Sequence, residues 1–460
     1  MTRIRDRLQP LFTTELFRYD ELKKMFFTLA LDQFFIYAIG ILSSAMVSSV
    51  GEEAIAAVSM VNTVNSLVCL LFTSLASGGA IVVARAKGAG ENDTVRRAIG
   101  QVSGLCGIVS IAVCLILLLG AEPIVRLLYP QVEPLLIEYS VDYMRLMALS
   151  FVPFSVFNAI FNIYRNLGDT RPALMLTIVI NVAHLVFSLL LINILGLGVK
   201  GSGYAYIAAR VLGFAIAMIW ILYVHNDCRV RLIDFFRFSG SVTREVVSFG
   251  APLTVESILT QGGMLLVQIY LALLTTTDLA AHAVANSILN LYYTTASAIG
   301  ALTGTVCGRC CGAKRYDLAA HYNRALTRVG RLIMFVTSLI LYPMTPLLML
   351  LYHESAEGAS IVYLALAVGA AGLALFWSDA SIPATTLRVA GDSVFIGVIS
   401  VLSLLIGRCA LGYFLTISCG LGVLGVWIAL IFEWILRAVL LRLRLRRDQR
   451  FRLKAQGEYH

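Results

Sequence analysis

Four acidic side chains sit inside long apolar runs of this 460-residue chain: Asp32, Glu256, Asp379 and Glu433. An acid in such a run is expensive, at least about 2.5–3.5 kcal/mol on insertion scales if the run crosses a bilayer, so it is retained where it faces a cavity or a partner. Desolvation pushes a carboxyl toward the neutral form and a bound cation holds it ionised, so either H⁺ or Na⁺ can neutralise it. Glu433 has Arg437 one helical turn later, which reads as a structural i,i+4 pair. The other three have no base one turn away on their own helix. Asp32 and Glu256 are 224 positions apart, and that spacing recurs below.

Amides accompany these acids. Gln33, Asn62, Asn65, Asn158, Asn162, Asn181, Gln261, Gln268, Asn286 and Asn290 lie in the same class of apolar run. Such groups coordinate a cation or hydrogen-bond between helices. The expected cation-coupling set is Glu256, Asp379 and Asp32, with Na⁺ at Glu256 and Asp379 as the one metal the pattern admits. The polar lining expected around it is Gln33, Gln261, Asn158, Asn181 and Asn286. The alternative for each is helix–helix glue. Arg408 must find a partner within the bundle, and with His184, 224 positions earlier, it reads as an inter-helix anchor. Pro383, four residues after Asp379, opposes the Asp379 carbonyl and places a bend there.

The elements that position these groups follow from composition. Hydrophobic residues make up 59% of the chain and charged ones 14%, against about 25% charged in soluble domains. Mean hydropathy is +0.83. The solvent is a bilayer, and the apolar runs between about residues 25 and 441 accommodate twelve spans of about 20 residues each. In lipid the backbone must satisfy its own hydrogen bonds, so runs of this length become helices. Of 36 Lys and Arg, 31 fall in alternate connecting segments and at the two ends, which places both termini in the cytoplasm of a plasma (inner) membrane. The net charge of +9 is therefore a topology signal, and no nucleic-acid partner is needed.

Sliding the chain by 224 positions lays GLGVKG (Gly196–Gly201) on GLGVLG (Gly420–Gly425) and Arg85 on Arg309, and a shift of 223 lays RNLGD (Arg165–Asp169) on RVAGD (Arg388–Asp392). The expected fold is all-α and integral to the membrane, with twelve transmembrane helices as two six-helix bundles related by a pseudo-two-fold along the membrane normal. The expected division is a cytoplasmic segment 1–24, a bundle 25–224, a cytoplasmic linker 225–247, a bundle 248–441 and a basic tail 442–460.

Other motifs carry less. The GLGV segments match a dinucleotide fingerprint but lie in loops between spans, with no strand before them, so their glycines serve turns. Cys307, Cys310 and Cys311 form a CxxCC without the further ligands that tetrahedral zinc requires, and read as packing. No nucleophile–base set stands out, so no enzyme is expected, and no cofactor beyond the coupling ion.

Met46–Asn62 (MVSSVGEEAIAAVSMVN), Gly250–Gly263 (GAPLTVESILTQGG), Ile382–Asp392 (IPATTLRVAGD) and Gly420–Arg437 (GLGVLGVWIALIFEWILR) together resemble the multidrug and toxic compound extrusion (MATE) family, in order and spacing, over residues from about 25 to 440. The resemblance implies an antiporter: Na⁺ or H⁺ runs inward while a small organic compound, often cationic and aromatic, leaves by alternating access between the halves. It makes Glu256 the family's helix-7 acid and Asp379 its helix-10 acid. Family members commonly carry an Asp eight residues before the loop glycine of helix 1, and Ser43 stands there. The partners implied are the organic substrate and the bilayer, with no obligate protein partner. The alternative reading is a flippase for a lipid-linked sugar or lipid; a channel is weaker still.

Overall fold

In the computed structural model the described residues are 9, 12–47, 52–128, 134–224, 230–349, 356–448 and 451; for 37–47, 52–59, 128, 134–135, 193, 199 and 356 only the backbone is described. Ser43 is among these, so its side chain lies outside the described residues, as do parts of the terminal segments and of the linker.

Among the described residues twelve main helical elements run in order: α1 (Tyr19–Val47), α2 (Glu52–Gly88), α3 (Asn92–Leu128), α4 (Pro134–Asn166), α5 (Thr170–Ser188), α6 (Gly198–Ile219), α7 (Gly240–Leu271), α8 (Thr276–Gly312), α9 (Tyr316–Leu341), α10 (Ala356–Gly372, carried on through Ser378–Val389), α11 (Ser393–Ser403) and α12 (Val423–Arg447). A 3₁₀ turn, Leu232–Phe235, precedes α7. No strand occurs among the described residues. Among the described residues, eight helical stretches are long and apolar enough to cross a membrane by length and composition. The long helices outside those eight, α1, α7, α8 and α9, carry Asp32 and Gln33, Glu256 and Gln261, Asn286 and Asn290, and Arg324 to Arg331. Their polar content lowers their hydropathy. Large side chains such as Leu119 (85% exposed) and Leu127 (81%) have no protein over them, as lipid-facing residues should.

The chain forms two compact units, Met1–Gln33 with Val255–His460, and Phe34–Thr254. Each boundary falls inside a helix, α1 or α7. Within the Phe34–Thr254 unit, Arg85 near the end of α2 lies over the Phe249 ring at 5.4 Å and pairs with Glu245 at 3.3 Å. A Cβ on Gly78 of α2 would meet the Gly250 backbone at 2.4 Å, so α2 and α7 cross at near contact. Within the other unit Arg309, the repeat equivalent of Arg85, lies over Phe17 at 5.4 Å. Arg85 thus holds the N-terminal third of α7, and Arg309 the segment leading into α1.

The repeat extends to backbone conformation. Gly196 and Gly198 have positive φ (65° and 54°), and so do Gly420 and Gly422 (68° and 56°). A π-helical stretch precedes each pair, Leu189–Ile194 and Phe414–Ser418. These glycines make turns, as their loop position suggested.

Candidate functional site

Glu256, sixteen residues into α7, is held by Arg388 at the end of α10, with Nη2 donating to Oε2 at 2.6 Å. Their side chains are 14% and 18% exposed. Asp379 accepts from Arg331 of α9 at 2.6 Å and from Arg442 of α12. Glu433 pairs with Arg408 at 2.8 Å as well as with Arg437 at 3.0 Å. The partner required for Arg408 is therefore Glu433, and the i,i+4 pair with Arg437 forms as its spacing indicated.

These pairs revise the view of Glu256 and Asp379 as carboxylates without a basic neighbour. Their partners come from other helices, where a search one turn along the same helix does not look. Arg331, Arg388 and Arg442 were counted with the basic connecting segments, but each guanidinium reaches a carboxylate on another helix. Asp379 faces two guanidiniums and Glu256 one, each within hydrogen-bond reach of a carboxylate oxygen.

Asp32 is buried at 1% exposure and accepts from its neighbour Gln33 at 3.2 Å. Asn158 donates to Thr73 of α2 at 3.0 Å, and Asn162 donates to Asn158 at 3.0 Å, so the α4 amides join helices within the Phe34–Thr254 unit. Asn181 donates to the Thr177 carbonyl of its own helix at 2.8 Å. Gln261 and Asn286 are exposed. Of the expected polar lining, Asn158 and Asn181 belong to one unit, and Gln33, Gln261 and Asn286 to the other.

Arg210 of α6 is buried, donates to Ser150 Oγ at 2.6 Å and lies over Phe154 at 4.5 Å and Tyr206 at 5.1 Å. Cys307, Cys310 and Cys311 are buried, with Thr386 donating to Cys307 Sγ at 3.5 Å. No group of three or more His, Cys, Asp or Glu placed to hold a metal occurs among the described residues. Pro383 stays within α-helix, while Leu373–Trp377, immediately before Ser378 and Asp379, is π-helical. The irregularity expected at the proline is in this π segment, a feature frequent at functional sites.

Comparison with known proteins bears on this arrangement. The MatE family model matches residues 29–190 and again 252–414. The second match starts 223 positions after the first, so the duplication in the sequence is a repeat of the family's own unit. The chain is 24% identical over 409 residues to an uncharacterized transporter, YisQ, of Bacillus subtilis (strain 168), covering 87% of this chain and 88% of that one. It is 21% identical over 408 residues to a probable multidrug resistance protein, NorM, of Thermotoga maritima, covering 87% and 86%. A multidrug resistance MATE family transporter solved in its outward-facing conformation superposes with a TM-score of 0.86 at 17% identity, over 95% of this chain and 96% of the other. The fold is that of these twelve-helix, two-lobe transporters. Two matched copies of the family unit covering most of the chain place it in the MATE family of membrane transporters.

Proposed function

We propose that this protein exports small organic compounds, cationic or amphipathic, from the cytoplasm across the plasma (inner) membrane in exchange for inward Na⁺ or H⁺, by alternating access. The relatives named as multidrug resistance proteins support the substrate class. One charge moving through 100 mV supplies about 2.3 kcal/mol, and no nucleotide-binding motif offers another source.

The observation that carries the coupling is that Glu256 and Asp379 are both held by arginines from other helices, at 2.6 Å. An entering cation competes with a guanidinium for the same oxygens. Protonating Glu256 or placing Na⁺ on it weakens its hold on Arg388, and the same exchange at Asp379 loosens α10 from α9 and α12. The ion is thereby converted into helix release. Asp32, buried beside Gln33, contributes a third carboxylate. A flippase for anionic head groups is less well supported, because Arg408 is taken up by Glu433 and Arg210 by Ser150 and its rings.

The test is efflux of a cationic dye from proteoliposomes, with Na⁺ and pH gradients imposed separately. Transport should follow one gradient in the wild type and fall at least about tenfold in rate in Glu256→Gln and in Asp379→Asn, equivalent to about 1.4 kcal/mol or more in the barrier. Gradient-independent transport, or undiminished coupling in both variants, overturns the proposal.

A further inference from the structure

The segment before α7 docks on α3 in a way that leaves a chamber. The 3₁₀ turn Leu232–Phe235 packs onto a glycine face: a Cβ on Gly100 would meet the Asp234 carbonyl oxygen at 2.5 Å, and one on Gly104 the Phe235 oxygen at 2.0 Å. Asp234 is buried, accepts from the Arg231 backbone N–H at 2.9 Å and faces Arg96 at 3.7 Å. The turn is thus seated rather than loose. Beside it lies a cavity of about 190 Å³ lined by Arg96, Arg97, Gln101, Asp234, Arg237 and Phe238. A water needs on the order of 10–15 Å³ on such a measure, so there is room for a phosphate ester.

The lining is short of an anion. Among the lining residues three guanidiniums face one carboxylate. Arg96 Nε lies 3.7 Å from Asp234 Oδ2, beyond hydrogen-bond reach, and Arg96 also pairs with Asp93 at 3.8 Å, while no ion pair of Arg97 or Arg237 occurs among the described residues. Gln101 is 3% exposed, yet its amide oxygen is buried without a hydrogen-bond partner. A terminal amide turns readily to offer its N–H₂ instead. In the other half of the chain Tyr322, the repeat equivalent of Ala98, is fully buried, hydrogen-bonding Thr14 at 2.7 Å and packing its ring against Phe17.

The segment that carries Asp234 and Arg237 also exposes apolar side chains. Leu232, Ile233, Phe236 and Phe238 of the docked segment are 57%, 50%, 74% and 44% exposed. By the distribution of basic residues this is the cytoplasmic end of the helices, at the depth where inner-leaflet phosphates lie. Exposed apolar residues beside a basic chamber suit a ligand with both acyl chains and an anionic head group, and suit a soluble anion less.

We propose that the chamber formed by Arg96, Arg97, Gln101 and Arg237 binds the phosphate of an anionic phospholipid from the inner leaflet. The lipid would fix the segment between the halves to α3 through guanidinium–phosphate hydrogen bonds.

The test uses the full chain, stripped of lipid in detergent, with phosphatidylglycerol or inorganic phosphate added separately. Native mass spectrometry reads retained lipid, and the melting temperature reads stabilisation. Phosphatidylglycerol is expected to remain bound at one per chain and to raise the melting temperature. Binding should weaken about tenfold in Arg237→Gln and further in Arg96→Gln/Arg237→Gln. Arg237 is exposed and makes no ion pair among the described residues, so its single variant keeps the test valid should the double variant fold poorly. Arg244→Gln, an exposed base of α7 outside the chamber, should bind like the wild type. Equal loss in Arg244→Gln means diffuse basic attraction and overturns the site. Stabilisation by inorganic phosphate with none from phosphatidylglycerol overturns the lipid assignment. Unchanged lipid binding in both chamber variants overturns the proposal outright.

Discussion

Replacing Glu256 does two things that can be separated. Glu256→Gln leaves Arg388, itself 18% exposed, without its carboxylate, and breaking one side of a buried pair costs about 3–5 kcal/mol. Replacing both, Glu256→Gln/Arg388→Gln, removes the stranded charge. The double variant should regain most of the stability lost in the single one, read as melting temperature, while gradient-driven efflux stays lost. Recovery of coupled transport in the double variant would show the pair to be structural. At the membrane's edge Arg315 pairs with Asp317 at 3.0 Å and with Glu15 at 2.5 Å, and the Arg315 hydrogen bond holds the Asp317 carboxyl below its ordinary range. The sign follows: a depressed carboxyl contributes stability above its unfolded value, about 3.9, and loses it as pH falls through the lower folded value. Asp317→Asn should therefore melt lower than wild type at pH 7, by the equivalent of at most about 1 kcal/mol for so exposed a pair, and the gap should narrow as the medium is acidified below the ordinary carboxylate range. A gap that does not narrow on acidification contradicts this.

At the scale of elements, the repeat makes its own controls. Lys314 has φ 57°, a left-handed conformation that costs a side-chain-bearing residue about 1–2 kcal/mol, and its repeat equivalent is Gly90, φ 75°. Lys314→Gly should raise thermal stability by up to about 1 kcal/mol, after the added freedom of the unfolded chain is set against the relief. Gly78→Ala should do the reverse. Its methyl would strike backbone of α7 at 2.4 Å, and overpacking of this kind costs about 1–3 kcal/mol. The π segment before Asp379 is the element whose behaviour the proline did not foretell. Pro383 is accommodated in regular helix, and the extra residue per turn falls one turn earlier.

For the whole molecule, the count of 31 of 36 basic residues in alternate segments makes a topological prediction. In a cysteine-free background, a membrane-impermeant thiol reagent applied to intact cells should label Leu197→Cys and Leu421→Cys but not Ala89→Cys or Arg446→Cys. Labelling of the second pair would invert the orientation and with it the direction of export. The two matched copies of the family unit make each half an internal comparison for the other. Where the first half has Ala98 on α3, the second has the larger, fully buried Tyr322.

Solvent, helix class, the duplication and the family were all legible in the sequence. They depend on length, hydropathy and spacing along the chain, which the bilayer and the 224-residue shift impose without reference to contacts. The acids were legible as residues, because a carboxylate in an apolar run stands out wherever the chain goes. Their partners were not. Arg388, Arg331 and Arg442 lie 132, 48 and 63 positions from the carboxylates they hold, so only the packing of α7, α9, α10 and α12 decides that these charges meet. Likewise Arg408 declared a need for a counter-charge, and tertiary structure chose Glu433. Charge and hydropathy are carried by each residue alone, whereas an ion pair belongs to two helices at once and exists only when the fold brings them within about 3 Å.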